Sequence, residues 1–325
     1  MEDEQLLKRI SPDLVLSDFR FSMEVACKRQ NIPLINLTNA HWLSSRHYQL
    51  PVPDSRLMAV GFTANDFIFR HFQSNITKKF LAPLNRFRQA NELPVANSFQ
   101  DAYCFGDHLA CFDSKHLYPF LSSTRTHFLG PISGSFSGTL PAELLMRIDE
   151  PEESKLPLVY LSFGSSGANQ HILKMIKSLS SNQWCLVATG KFADRPEWIS
   201  KTVFVAPFIP QHLLARRASL FVTNGGTMSA YEALKFSVPV LGIPQNMDQL
   251  LFTDQICHLG LGFGMRSSQI DWSGLRQQVA QIMRDEDLKQ RLQQLKSLMS
   301  TEDIGEQARI LIRQHLSGEK SLKVA

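Results

Sequence analysis

The chain has 325 residues, of which 43% are hydrophobic and 20% charged, and a net charge of +4. That length suits two domains of ordinary size, each with its own core. The charge balance gives no reason to expect nucleic-acid binding, and the apolar and charged fractions are those of a globular protein.

The five cysteines, Cys27, Cys104, Cys111, Cys185 and Cys257, are scattered and show no C-x-x-C spacing. They read as reduced thiols of a cytoplasmic protein, not as a disulfide framework or a zinc site. No apolar run approaches the roughly 20 residues that a membrane-spanning helix needs. The opening MEDEQLLKRI is acidic and amphipathic, unlike a signal peptide.

In chain order, LLKRI reads as the tail of a helix, and DLVLSDF, after Pro12, as a buried strand. FSMEVACKRQ is a helix and IPLINLT the next strand. Gly61 to Arg88 mixes phenylalanines with Arg and Lys in an amphipathic helix. That helix packs into the core, lines a hydrophobic ligand pocket or touches a membrane surface. Further strands are expected at AYCFGD, LACFD and THFLG. A doubly wound domain opens on a Gly-rich first βα unit. Here that unit and two more are expected to lie upstream, and the exposed strand edge to be covered by a partner polypeptide or a second copy.

Pro131 to Pro157 is rich in Gly, Ser, Pro and Glu and reads as an interdomain linker. From Leu156 the rhythm is βαβα, the pattern of a parallel sheet covered by helices. LPLVYLSFGS, WCLVATG, VFVAPF, SLFVTN and VPVLGIP are strands, with helices around His171 to Leu179, at HLLARRA and at TMSAYEALKF. The remainder from Gln249 is mostly helical. The expected division is 1–135, a linker 136–156, and 157–325.

Between those strands and helices lie two turns of small residues, Ser162 to Ser166 and Asn224 to Thr227. Glycine lets a backbone approach an anion closely, and a helix N-terminus offers unpaired N–H groups and the positive end of its dipole. Two such turns at neighbouring strand tips suit a diphosphate. Asp248 and Gln249, in the loop after Pro244, offer the acceptors and donors that sugar hydroxyls require.

FIPQ, FVTNGGTMSAYEAL and VPVLGIPQNMDQ, spread over nearly fifty residues with spacing preserved, resemble the donor-binding signature of the UDP-glycosyltransferase-like family. The resemblance implies an α/β GT-B fold of two Rossmann-like, doubly wound domains facing a cleft, the first incomplete here by about 80 to 100 residues. It implies an inverting transfer of a hexose from a nucleoside-diphosphate sugar, UDP foremost, to a hydroxyl of a small or lipidic acceptor. The nucleotide sugar is a co-substrate, and no cofactor or metal is expected. A remnant that binds a nucleotide sugar or a protein partner without turnover is the alternative.

By the same resemblance Gly164, Ser165, Asn224, Gly225, Gly226, Thr227 and Ser229 surround the diphosphate. Phe208 stacks on the base unless it packs in the core, and Gln211 offers an amide. Glu232 holds the ribose unless it is only a favourable helix-dipole charge. Asp248 and Gln249 take the sugar hydroxyls, although Asp248 is also suited to capping a helix. Asp18 falls where the family places a carboxylate that orients a catalytic histidine, with capping of the FSMEVACKRQ helix as its other role. None of the ten histidines occupies the position of that partner. The family commonly has His where this chain has Asn224 and Gly where it has Ser237.

Overall fold

The computed structural model describes residues 2–43, 62–121, 123–132, 137–149, 156–164, 169–190 and 200–316. They divide into two compact units. The first holds the described residues up to 132 together with 301–316, and the second holds 137–300.

The first unit runs α1 (Glu2–Ile10), β1 (Val15–Asp18), α2 (Phe21–Gln30), β2 (Leu34–Thr38), α3 (Ala40–Leu43), α4 (Phe62–Ala90), α5 (Phe99–Tyr103), β3 (His108–Cys111) and β4 (Thr126–Phe128). Its four strands pair in parallel in the order β1-β2-β3-β4. β1 stands at one edge, and Leu16 on it is 49% exposed. α2 stops at Asn31, whose left-handed φ of 55° turns its N–H back onto the Cys27 and Lys28 carbonyls. α4 is tied to α2 by a buried ion pair, Arg88 to Glu24 at 2.6 Å. Leu81 of α4 packs with Ala96 and Ala102. Phe72, Ile76 and Phe80, one helical face at i, i+4 and i+8, are exposed, so core packing accounts for only part of this helix.

The strand expected at AYCFGD is instead the last two residues of α5 and the connection to β3. Ser98 and Asp101 form a reciprocal capping box there, each side chain accepting from the other's backbone N–H at 3.0 Å. That box satisfies the orphan donors of a helix and commits the segment to helix over strand.

The second unit runs α6 (Ala142–Ile148), β5 (Leu158–Ser162), α7 (Asn169–Leu179), β6 (Cys185–Thr189), β7 (Val203–Ala206), α8 (Gln211–Ala215), β8 (Ala218–Thr223), α9 (Thr227–Leu234), β9 (Val240–Gly242), α10 (Met247–His258), β10 (Gly262–Gly264), α11 (Leu275–Arg284) and α12 (Glu286–Met299). Its strands form one six-stranded sheet, β10-β9-β8-β5-β6-β7, with every pair parallel. β6, β7 and β9 are buried along their whole length, as expected for a parallel sheet covered on both faces. α9 closes with Val238 N–H bonded to the Ala233 carbonyl and Ser237 N–H to that of Leu234, the Schellman pattern. The left-handed residue of that motif is Ser237, at φ 59°, where a glycine would carry no Cβ penalty.

Two boundaries differ from the sequence-based division. The 136–156 segment is not a bare linker: α6 lies in it, buries Leu144 and Ile148, and clusters with the second unit. The second unit ends at 300, not 325. The last described helix, α13 (Ile304–Leu316), belongs to the first unit, where Ile304, Ala308 and Leu311 pack on Ile35, Ala110 and Leu129. Glu302, just before it, accepts from Ser114 Oγ at 3.0 Å and from Lys115 N–H at 3.2 Å. Amphipathic spacing announces that a helix has a partner face but not which unit supplies it.

Truncating a buried leucine removes its transfer energy and leaves a cavity. Leu311→Ala is therefore expected to destabilise the first unit by about 2–4 kcal/mol. Hydrogen exchange with increasing urea should show that loss in β2 and β3 while β5 and β8 keep their protection. Equal loss in both sheets would refute the assignment of α13.

Candidate donor-binding site

From β5 the second sheet grows outward through β6 and β7, and the chain then returns to place β8 on the other side of β5. Strand connections diverge at such a reversal and leave a crevice at the carboxyl ends. Phe163 and Gly164 follow β5 there, and Asn224, Gly225 and Gly226 follow β8. Ser165 lies outside the described residues.

The two turns are joined. Asn224, 6% exposed, donates from Nδ2 to the Phe163 carbonyl at 3.0 Å. Its Oδ1 accepts from the Gly226 N–H at 3.2 Å, and Thr223 Oγ1 accepts from the Gly225 N–H at 2.9 Å. This modifies the expected cradle, because the glycine amides and the Asn224 side chain are engaged inside the turns. Gly226 is the N-cap of α9 and no side chain caps the helix. The first-turn amides of Thr227, Met228 and Ser229, which precede the first intrahelical bond, are the donors available to an anion.

Gly225 has φ 75°, and a Cβ on it would lie 2.1 Å from Thr253 Oγ1. Cβ atoms at Gly242 and Gly264 would also fall within 2.8 Å of Thr253. Glycine at these places lets α10 lie against the NGGT turn and the ends of β9 and β10.

Ser229 Oγ donates to Gln211 Oε1 at 3.0 Å, so these two residues join α9 to α8. Phe208 is 60% exposed, which removes the core-packing reading. Glu232 is 3% exposed, so it is not a surface helix-dipole charge, and its Oε2 has no hydrogen-bond partner among the described residues. His212 Nδ1, on α8, is likewise buried without one.

Asp248 and Gln249 lie in the first turn of α10, not in a loop before it. The cap is Asn246, whose Oδ1 accepts from Gln249 N–H at 3.0 Å, and not Asp248. Gln249 is 6% exposed and its Oε1 accepts from Gln245 N–H at 2.9 Å, which closes the turn on itself. Asp248 keeps partial exposure at the positive end of the helix. Asp18 lies in the first unit, exposed at the carboxyl end of β1. It does not cap α2, whose N-cap is Arg20 without a side-chain bond.

Phe163, Thr223, Asn246 and Thr253 are the site residues that sequence reasoning missed. Only Asn246 carried a local signal, an Asn three residues before Gln at a helix start.

A model of the erythromycin biosynthesis protein CIII-like C-terminal domain matches residues 189–309. A PGL/p-HBAD biosynthesis glycosyltransferase of Mycobacterium tuberculosis (strain ATCC 25177 / H37Ra) is 26% identical over 302 residues, 90% of this chain and 68% of that protein. Among solved structures, the glycotransferase of kitacinnamycin superposes with a TM-score of 0.70 at 19% identity, covering 96% of this chain and 80% of the other. The spinosyn rhamnosyltransferase SpnG complexed with thymidine diphosphate gives 0.66 at 14% identity, covering 96% and 76%. The chain has the GT-B fold of these structures and is similar in sequence to UDP-glycosyltransferase-like proteins.

At this GT-B switch point the carboxyl of Glu232 is perturbed by its burial. Burial raises its carboxyl pKa above the ordinary 4.5, with Lys235 and His212 opposing the rise. The folded chain thus binds this proton more tightly than the unfolded chain. Stability from this group is full below pH 4.5 and declines as pH rises through the raised value. Among the described residues, no group of three or more His, Cys, Asp or Glu is placed to hold a metal ion. A cavity of about 500 Å³ lies at the opposite, amino-terminal ends of the strands, beside Pro157, Trp184, Ala218 and Pro239, and is not part of this site.

Glu232→Gln removes the buried charge. We expect it to raise the Tm of the ligand-free protein at pH 7, with the difference closing as pH falls toward 4.5. A Tm unchanged or lowered at pH 7 would count against a strained carboxylate.

Proposed function

We propose that this chain is an inverting glycosyltransferase that takes a hexose from a nucleoside-diphosphate sugar, UDP foremost, to a hydroxyl of a small or lipidic acceptor. The observation that carries the reading is the uncapped first turn of α9, set at the sheet's reversal beside two turns that a buried amide holds together. Relatives named as glycosyltransferases and a similar fold solved with thymidine diphosphate support it.

In the reaction the acceptor oxygen attacks C1 of the sugar from the face opposite the diphosphate. The bond from C1 to the diphosphate oxygen breaks, and its electron pair leaves on the nucleoside diphosphate. The acceptor's proton passes to a base. The Thr227, Met228 and Ser229 amides and the α9 dipole meet the charge that develops on the leaving group. Phe208 offers its exposed ring to the base, and the unpaired oxygen of Glu232 accepts from the ribose hydroxyls. Asp248 takes the sugar hydroxyls. Gln249, held in its own turn, shapes the α10 start and contributes less than its neighbour. Asp18 serves as the carboxylate that orients the catalytic base. The exposed Phe72, Ile76 and Phe80 face of α4 supports an apolar acceptor.

Calorimetric titration with UDP, TDP and GDP tests the donor site, with release of nucleoside diphosphate in the presence of hydrophobic alcohols and phenols as the activity readout. At least one nucleotide is expected to bind in the micromolar to millimolar range. Glu232→Gln should weaken that binding about tenfold to a hundredfold, the worth of a hydrogen bond to a charged group. Asp18→Asn should leave it unchanged while lowering kcat by about 10²–10⁴. No binding at millimolar concentration refutes the donor site. Binding without turnover on any acceptor would favour the reading of a nucleotide-sugar binder that does no chemistry.

A further inference from the structure

We propose that the docking of α13 onto the first unit is proton-controlled: the cluster of His108, His127 and His315 holds the helix while its imidazoles are neutral and lets its last turn go on acidification. The three residues come from three elements, β3, β4 and α13. His108 Nδ1 and His127 Nε2 lie 3.1 Å apart. The His315 ring stands edge-on to both, its centroid 4.2 Å from that of His108 and 6.3 Å from that of His127.

The placement follows from the helix. Ile304, Ala308 and Leu311 pack on the sheet, and His315 continues that stripe at i, i+4, i+7 and i+11. Where the pattern calls for another apolar side chain, α13 presents an imidazole, and the sheet meets it with two more. On the same face Ala110 pairs with His127 across β3 and β4, and His108 stands two residues before Ala110.

The geometry admits few protons. A bond between His108 Nδ1 and His127 Nε2 needs one of them as acceptor, so charging both rings would set two N–H donors against each other at 3.1 Å. His315 Nδ1 donates to its own Leu311 carbonyl at 2.7 Å, which leaves only its other nitrogen to take a proton. Two further charges act on the cluster. Asp107 favours a charged His108 and Arg125 disfavours it. Burial and the neighbouring His315 outweigh Asp107, so the His108 pKa is lowered. Burial first, then His108 and His315, push His127 down to about 4.

The sign follows directly. With α13 docked His127 takes its proton near 4, and undocking removes the His315 charge and part of the burial, which raises that value toward 6.5. The docked state therefore binds fewer protons between those values, and docking is full above pH 6.5 and lost progressively as pH falls toward 4. At the other end of the segment, Glu302 accepts from Ser114 Oγ and Lys115 N–H. The same Glu302 oxygen lies 3.9 Å from His116 Nε2, a pair that a proton on His116 would strengthen, so opening begins at the His315 turn.

Hydrogen exchange on the full chain, corrected for intrinsic rates, tests the proposal at pH 7 and pH 5. Protection of the amides in the last turn of α13 is expected to fall by up to about twentyfold, the ratio that His127 would supply if undocking returned it fully to 6.5. Protection in α9 should be unchanged. The double variant His108→Gln, His127→Gln should show no such fall in α13. An equal loss in α9, or a fall that persists in the double variant, overturns the proposal. Should that variant fail to fold, NMR titration of histidine C2–H resonances in the wild-type chain decides: at least one is expected to titrate below pH 5, and none doing so overturns it.

Discussion

One buried amide organises the second unit's functional end. Asn224 spans the gap between the tips of β5 and β8, with Nδ2 on the Phe163 carbonyl and Oδ1 on the Gly226 N–H. Strand tips at a sheet reversal have no ladder beyond them, so their separation is set by whatever side chains cross the gap. A neutral amide can donate to one turn and accept from the other at once, which a carboxylate cannot. Gly225 then turns under Thr253, and α9 begins with its first-turn amides directed outward from a fixed point. The placement of those amides depends on this tie as well as on the glycines themselves.

Saturating the glycine amides has a further effect on the site. Gly225 and Gly226 cannot serve as ligand donors without giving up bonds to Thr223 and Asn224. Buried donors that already have partners gain little by exchanging them. Glu232 Oε2, by contrast, is buried without a partner among the described residues. A buried carboxylate oxygen without a hydrogen bond costs stability, because its desolvation is not compensated.

Much of the second unit was legible because doubly covered parallel strands spell themselves as continuous apolar runs, as in Leu158–Ser162 and Val203–Ala206. β10 was not, since Gly262–Gly264 is three residues long with two glycines and no apolar run to notice. In the first unit the Phe99–Tyr103 helix was hidden behind an aromatic-rich string that reads as strand. Its signal lay in the Ser98 and Asp101 pair instead. Residue types at the site could be named from the motif, but their partners could not. That Ser229 bonds Gln211, or that Gln249 closes on Gln245, depends on side-chain direction across elements that the linear pattern does not specify.

The discontinuity of the first unit bears on how the chain is made. Ile35, Ala110 and Leu129 precede the second unit in the chain, yet the helix that seals them follows it. Until then the nascent polypeptide carries an apolar sheet face open to solvent while an entire second unit is synthesised behind it. Vectorial folding is thus interrupted for the first unit: it is begun before the second unit and completed after it, and the interval between is when it is most exposed to misassociation.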